Sequence, residues 1–159
     1  SGDLHEWINK NAFDGKLTRD ESKVAFFSWL YDPRKTNDAL EKLFSRQEIL
    51  EKYYFNGRIN NPLGRKIEVG EEKALNYLVQ STFNDIFLIN IAKLSEKLKE
   101  WGLKSNIAFF IHDSVVLDFD VREKDRIDDI VSVLSHFDDY KFDLHMNLGK
   151  NYGDMREIK

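Results

Sequence analysis

The chain has 159 residues, 24 Lys and Arg against 28 Asp and Glu, and a net charge of −4. With 42% apolar residues, 12 Phe and no cysteine, it can build a sizeable core, but neither a disulfide scaffold nor a thiolate metal site. The acidic balance argues against a broad basic nucleic-acid face, so contacts to such a partner would use local clusters. No apolar run reaches membrane-span length, and no signal peptide opens the chain. These features suit a cytoplasmic protein with no membrane partner. The opening Ser1-Gly2, without Met, reads as a cut edge.

Leu4, Trp7 and Ile8 have helical spacing, followed by a turn at Asp14-Gly15. Thr18-Arg19-Asp20-Glu21 has the form of a capping box. It predicts a helix from Thr18 to about Tyr31, ending near Asp32-Pro33. On it Arg19, Lys23, Phe27 and Tyr31 recur every fourth residue. Four steps drift only about 40°, so the four lie along one slanting ridge. Two cations followed by two aromatics suit a nucleoside triphosphate, with cations on the phosphates and a flat ring toward sugar and base. An ordinary amphipathic helix with aromatics in the core and solvated cations would show the same spacing.

Asn37 to Phe44 and Gln47 to Phe55 read as two short helices, with Asn37 an N-cap. Asn56-Gly57 signals a turn, and Gly57 to Lys66 a hairpin-like excursion ending in a small basic group. The longest helical pattern spans about 71–100. Leu75, Leu78, Val79, Phe83, Ile86, Phe87, Ile91, Leu94 and Leu98 give it a wide apolar face. Asn76, Gln80 and Asn84 form a second stripe of amides, suited either to reading a duplex minor groove or to polar surface and backbone satisfaction.

Ile107 to Phe119 sets two β-branched and aromatic runs about the polar tripeptide His112-Asp113-Ser114. The pattern predicts a β-hairpin with a carboxylate at its tip. Such a carboxylate can hold a hard cation such as Mg²⁺, although Asp and Ser are also ordinary turn residues. A helix over about Glu123 to Phe137 follows, its buried stripe Ile127, Ile130, Val131 and Leu134. Then comes a strand over Lys141 to Leu148 and a turn at Gly149 to Gly153. The expected fold is α+β, helices first and then a small antiparallel sheet covered on one face.

In this order the motifs resemble the C-terminal polymerase region of family A DNA polymerases. Arg19, Lys23, Phe27 and Tyr31 match every spaced position of the family's O-helix motif. Asp3-Leu4-His5 is similar to the Asp-Ile-His before the fingers. Gly57 to Lys66 resembles the Gly-Arg-Arg stretch between fingers and palm. Asn76-x3-Gln80-Ser81 resembles Asn-x3-Gln-Gly, His112-Asp113 the motif C His-Asp-Glu, and Leu144 to Tyr152 the closing strand with Gly-x-Asn-Trp. The resemblance implies a helical fingers subdomain over 1–102 and a partial palm over 103–159. It implies template-directed nucleotidyl transfer from a dNTP to a primer 3′ end by two-metal catalysis. Arg19 and Lys23 would bind the triphosphate, Phe27 would pack beside the sugar, and Tyr31 would close the insertion site. Asn76, Gln80 and His112 would touch primer-template DNA, and Asp113 would bind catalytic Mg²⁺.

The chain departs from the pattern at Asp32 and Ser81, where the family has Gly, and at Ser114, where motif C has Glu. The motif A strand, with the other metal-binding Asp, is expected just before Asp3, outside the chain, as is the thumb. The expectation is a fragment, or one chain of a split and phage-like enzyme, whose remaining segment supplies motif A and thumb. The competing expectation is a catalytically inactive polymerase-like module that binds DNA or a replication partner.

Overall fold

A computed structural model describes residues 3–158. The chain divides into two compact units, Ser1–Asp85 and Ile86–Lys159.

The first unit opens with α1 (Leu4–Ala12) and α2 (Arg19–Tyr31). Asp3 caps α1 by accepting from the amides of His5 and Glu6. Thr18 caps α2 in a full capping box with Glu21, as its sequence predicts. Asp14 and Gly15, both at positive φ, turn the chain between them. Next come α3 (Asp38–Phe44), capped by Asn37, and α4 (Arg46–Tyr53), capped by Ser45.

The expected helix through Phe55 stops two residues early. Tyr54–Phe55 instead forms β1, paired with β2 (Arg58–Asn60) through the two-residue turn Asn56-Gly57. Both turn residues take positive φ, 51° and 74°, which is the backbone such a tight hairpin requires. β3 (Lys66–Glu68) completes a three-stranded antiparallel sheet in the order β1-β2-β3.

Two apolar clusters hold this unit. One joins Ile8, Trp29, Leu30, Leu40 and Leu75, with Phe26, Phe27 and Phe44 packed around them. The other joins Ile59, Ala74 and Leu78. Burying each such large side chain contributes about 1.5–3 kcal/mol. Leu4 and Trp7 are about half exposed, so Ile8 alone of the first apolar triplet is core.

The long α5 (Glu71–Glu100) forms over the expected span. Its apolar face is narrower than the spacing suggests: Leu75, Leu78, Ile91, Leu94 and Leu98 are buried, whereas Val79 and Phe83 are exposed. In the second unit Leu94 and Leu98 pack with Ile130, ringed by Trp101, Leu103, Ile107, Leu117 and Phe119. β4 (Asn106–Ile111) and β5 (Ser114–Asp118) form an antiparallel ribbon with a register shift between Ile107 and Phe109.

The helix expected over Glu123–Phe137 is broken at both ends. A 3₁₀ segment, Val121–Arg126, precedes α6 (Ile127–Ser135) and is non-helical at Glu123. The Glu123 carboxylate accepts from the amides of Lys104 and Ser105 and from the Ser105 hydroxyl, which draws that residue out of the helix. At the other end His136–Phe137 becomes β6, paired with β7 (Tyr140–Lys141).

The strand expected over Lys141–Leu148 is likewise divided. The Phe142 amide donates to the Ser135 carbonyl, tying it to the end of α6. Extended structure resumes only at β8 (Met146–Leu148), which pairs with β9 (Arg156–Ile158). The α+β class therefore holds, but the strands form four small antiparallel sheets among the described residues instead of one. No helix among those residues is long and apolar enough to cross a membrane.

Candidate functional site

The ridge on α2 forms as the spacing predicts. Its buried face is Ser22, Trp29 and Leu30, which leaves the four ridge residues off the centre of the core. The Phe27 and Tyr31 rings stack, with centroids 5.5 Å apart and planes 8° from parallel. Phe27 also borders the apolar cluster, while Tyr31 remains 41% exposed. The aromatic half of the ridge is thus part core and part surface.

The cationic half is at the surface. Lys23 is exposed and makes no ion pair or hydrogen bond among the described residues. Arg19 is half exposed, and its Nε and Nη2 donate to Asp3 Oδ2 at 2.9 and 2.7 Å. Arg19 and the α1 amides hold the Asp3 carboxyl below its usual range, and Asp3 in turn raises Arg19.

His5 joins this cluster edge-on to Phe27, 5.6 Å between centroids, and close to Phe26. Burial lowers the His5 pKa; Asp3 opposes the shift, and Arg19 and Lys23 add to it. The shift favours the neutral imidazole, whose Nδ1 is buried and unpartnered among the described residues. The resemblance singles out Asp3-Leu4-His5 as a motif but gives Asp3 and His5 no task on the ridge. The signal available was an Asp at an N-cap position two residues before a His.

The far end of α2 is also fixed. Arg46 lies over the Trp29 ring, 4.9 Å from its centroid. It donates to the carbonyls of Trp29, Pro33 and Lys35. Asp32, where the resemblance expected Gly, caps the helix and accepts from Arg34 Nε and Nη2 at 3.0 and 3.1 Å. Both pairings hold the turn directly after Tyr31.

On α5, Asn76 is partly buried, with its Oδ1 enclosed and unpartnered among the described residues, while Gln80 and Asn84 are exposed. One turn beyond Gln80, Asp85 accepts from Arg65 Nε at 2.8 and 3.0 Å, from Arg65 Nη2, and from Asn61 Nδ2 at 2.7 Å. Asn61 Oδ1 accepts in turn from the amides of Leu63 and Arg65. The network ties the β2–β3 loop to α5. Its members are 24 and 20 residues apart from Asp85, beyond the reach of any local sequence pattern.

In the second unit, His112 and Asp113 form the two-residue turn of the β4–β5 ribbon. Ser114, expected within the turn, already pairs with Ile111 as the first residue of β5. His112 takes a left-handed backbone, φ 53°, a conformation in which His is enriched among non-glycine residues. Both side chains are exposed, and the Ser114 hydroxyl lies 3.4 Å from Asp113 Oδ1. Asp113 fits one hard-oxygen ligand for Mg²⁺. Among the described residues, however, no group of three His, Asp or Glu side chains is arranged to hold a metal ion. Asp120, further along the chain, is occupied by Arg122.

The model of DNA polymerase family A matches residues 6–154, and the chain belongs to that family. Over 106 residues it is 32% identical to the DNA polymerase of Bacillus phage SP01, covering 58% of this chain and 11% of the phage protein. Over 61 residues it is 36% identical to DNA polymerase I of Caldicellulosiruptor bescii, covering 38% of this chain and 7% of that protein. The chain thus spans a small part of the relatives it matches. In fold it is similar to the POL domain of Pol1 from M. smegmatis, solved in complex with DNA primer-template and dNTP. That likeness has a TM-score of 0.66 at 20% identity, over 84% of this chain and 31% of that one.

Proposed function

We propose that this chain is the nucleotide- and DNA-handling part of a template-directed DNA polymerase, transferring the nucleotidyl group of a dNTP to a primer 3′ end. In this reading residues 1–102 act as fingers and 103–159 as part of a palm. The observation that carries it is the α2 ridge, which presents in one line an exposed Lys23 with no partner among the described residues, a braced Arg19 and the Phe27–Tyr31 stack.

Phosphoryl transfer is catalysed almost entirely by positioning and charge neutralisation. Lys23 and Arg19 neutralise the triphosphate, Phe27 sets the sugar, and Tyr31 borders the base being inserted. Asn76 and Gln80 contact the primer-template, whose minor-groove acceptors look alike for A·T and T·A pairs. His112 lies at the primer end. Asp113 contributes one carboxylate toward Mg²⁺, which when bound neutralises developing charge on the phosphate oxygens. A second carboxylate comes from a segment outside this chain, in the same molecule or in a partner, which also carries the thumb. Phage-like provenance and a cytoplasmic site of action, bacterial or in a phage-infected host, accord with the phage relative.

The test is primer extension with Mg²⁺ and four dNTPs, in the assembled polymerase containing this chain. Lys23→Ala should raise the KM for dNTP. Ser114 and the single carboxylate at the tip favour a second reading, a catalytically inactive polymerase-like module that binds DNA or a replication partner. That reading gains if the assembled complex binds primer-template but never extends it.

A further inference from the structure

Asp3 uses its two oxygens for different tasks. Oδ1 accepts from the amides of His5 and Glu6 at 2.9 and 3.0 Å and so caps α1. Oδ2 accepts both Nε–H and Nη2–H of Arg19, sixteen residues away. A guanidinium has five N–H donors in a rigid fork. Asp3 engages the Nε edge. The Nη1 end has only a long 3.4 Å contact, to the highly exposed Asp20. The donors left over are the two on Nη1 and one on Nη2. One turn further along the ridge stands Lys23, exposed and without a partner among the described residues.

The fork is thus held on one edge and available on the other, in line with a second cation. An arginine in this state has already lost the rotamer freedom that a free side chain would lose on meeting an anion. Asp3 also carries a negative charge, which acts against a phosphate nearby. The two effects oppose each other, and geometry separates them, because both captured N–H groups point to one oxygen, while the remaining donors meet only the long contact from Nη1 to the exposed Asp20.

We infer that Asp3 is the positioning residue for Arg19, holding its guanidinium so that the Nη1 end is presented to the nucleotide triphosphate. This rests on the proposal that Arg19 binds that triphosphate. The capping geometry supplies a clean test. In Asp3→Asn, Oδ1 persists and Asn caps a helix as well as Asp does, so α1 is retained. The amide that replaces Oδ2 presents donors to the donors of Arg19 and releases it.

Steady-state primer extension by the assembled polymerase, with dNTP varied, gives the readout. Freeing one long side chain costs about 3–10-fold in affinity, so KM for dNTP should rise by that factor in Asp3→Asn, with kcat within about twofold. In an Arg19→Ala background the same substitution should change KM no further, and the thermal midpoint of Asp3→Asn should stay within about 2 °C of the parent. If Arg19→Ala raises KM and Asp3→Asn leaves it unchanged or lowers it, the positioning role is overturned and the nucleotide site stands. A fall in kcat together with the thermal midpoint also overturns it, as the mark of a merely structural residue. If Arg19→Ala itself has no effect on KM, the nucleotide reading fails first.

Discussion

Replacing Asp85 by Asn tests how the loop bearing the basic group of the first unit is anchored. The carboxylate takes the Nε and Nη2 donors of Arg65 and the Nδ2 of Asn61. Asparagine keeps one acceptor and turns a second donor toward these partners. Arg65 is about half exposed and regains water, so its share of the loss is that of a surface pair, about 0–1 kcal/mol. Asn61 is 4% exposed, and its remaining contact from Nδ2 is a long one to Ser81 at 3.4 Å. Stranding that donor costs about 1–3 kcal/mol. The sum is about 1–4 kcal/mol, which for a chain of this length lowers the melting temperature by roughly 2–15 °C.

Calorimetry on parent and Asp85→Asn reads this directly, and pH supplies an internal control. Arg65 first, then Asn61, hold the Asp85 carboxyl below its ordinary value, against the opposing effect of burial. A depressed acid stabilises the fold above its unfolded pKa of about 3.9 and loses that contribution as pH falls through its folded pKa. The difference between the two proteins should therefore be constant from about pH 5 to 7 and shrink below about pH 4. A melting difference under about 2 °C at pH 7, or one that grows on acidification, would refute this reasoning.

Two further outcomes are expected. Ile8→Ala, at a fully buried position between α1 and α2, should cost about 2–4 kcal/mol by urea unfolding, while Leu4→Ala, at a half-exposed one, should cost little. Phe27→Tyr should make the polymerase accept nucleotides lacking the 3′-hydroxyl more readily, because in the proposed site it sets a new hydroxyl beside the sugar, where it can stand in for the missing one. One new hydroxyl beside the sugar corresponds to about a tenfold change in the ratio of incorporation, read by termination on a primer gel.

Local chemistry was legible in the sequence wherever a few neighbouring residues decide the backbone. The Thr18–Glu21 capping box, the Asn37 cap, the Asn56-Gly57 turn and the 30 residues of α5 all form where the pattern puts them. What the sequence hid depends on distant partners. Nothing near Glu123 says that it will bind the Lys104 and Ser105 amides and break its own helix. Nothing near Phe142 says that its amide will pair with Ser135 and interrupt a strand that alternates well on paper. Periodicity likewise overestimated the buried face of α5, because Val79 and Phe83 share the spacing of core residues and are exposed. At the candidate site the ridge was visible as a repeat of four. The Asp3 brace on Arg19 and the edge contact of His5 with Phe27 bring residues of α1 and its cap onto that ridge, and only tertiary packing does so.

The most direct test of the central claim is primer extension with Mg²⁺, comparing the assembled polymerase with its Asp113→Asn variant while primer-template affinity is measured in parallel. The hairpin tip is exposed and its strands do not depend on the carboxylate, so the substitution leaves folding alone. The account predicts loss of synthesis with DNA binding retained. Synthesis at the parental rate in Asp113→Asn would contradict it, because the one carboxylate assigned to the metal would then be dispensable.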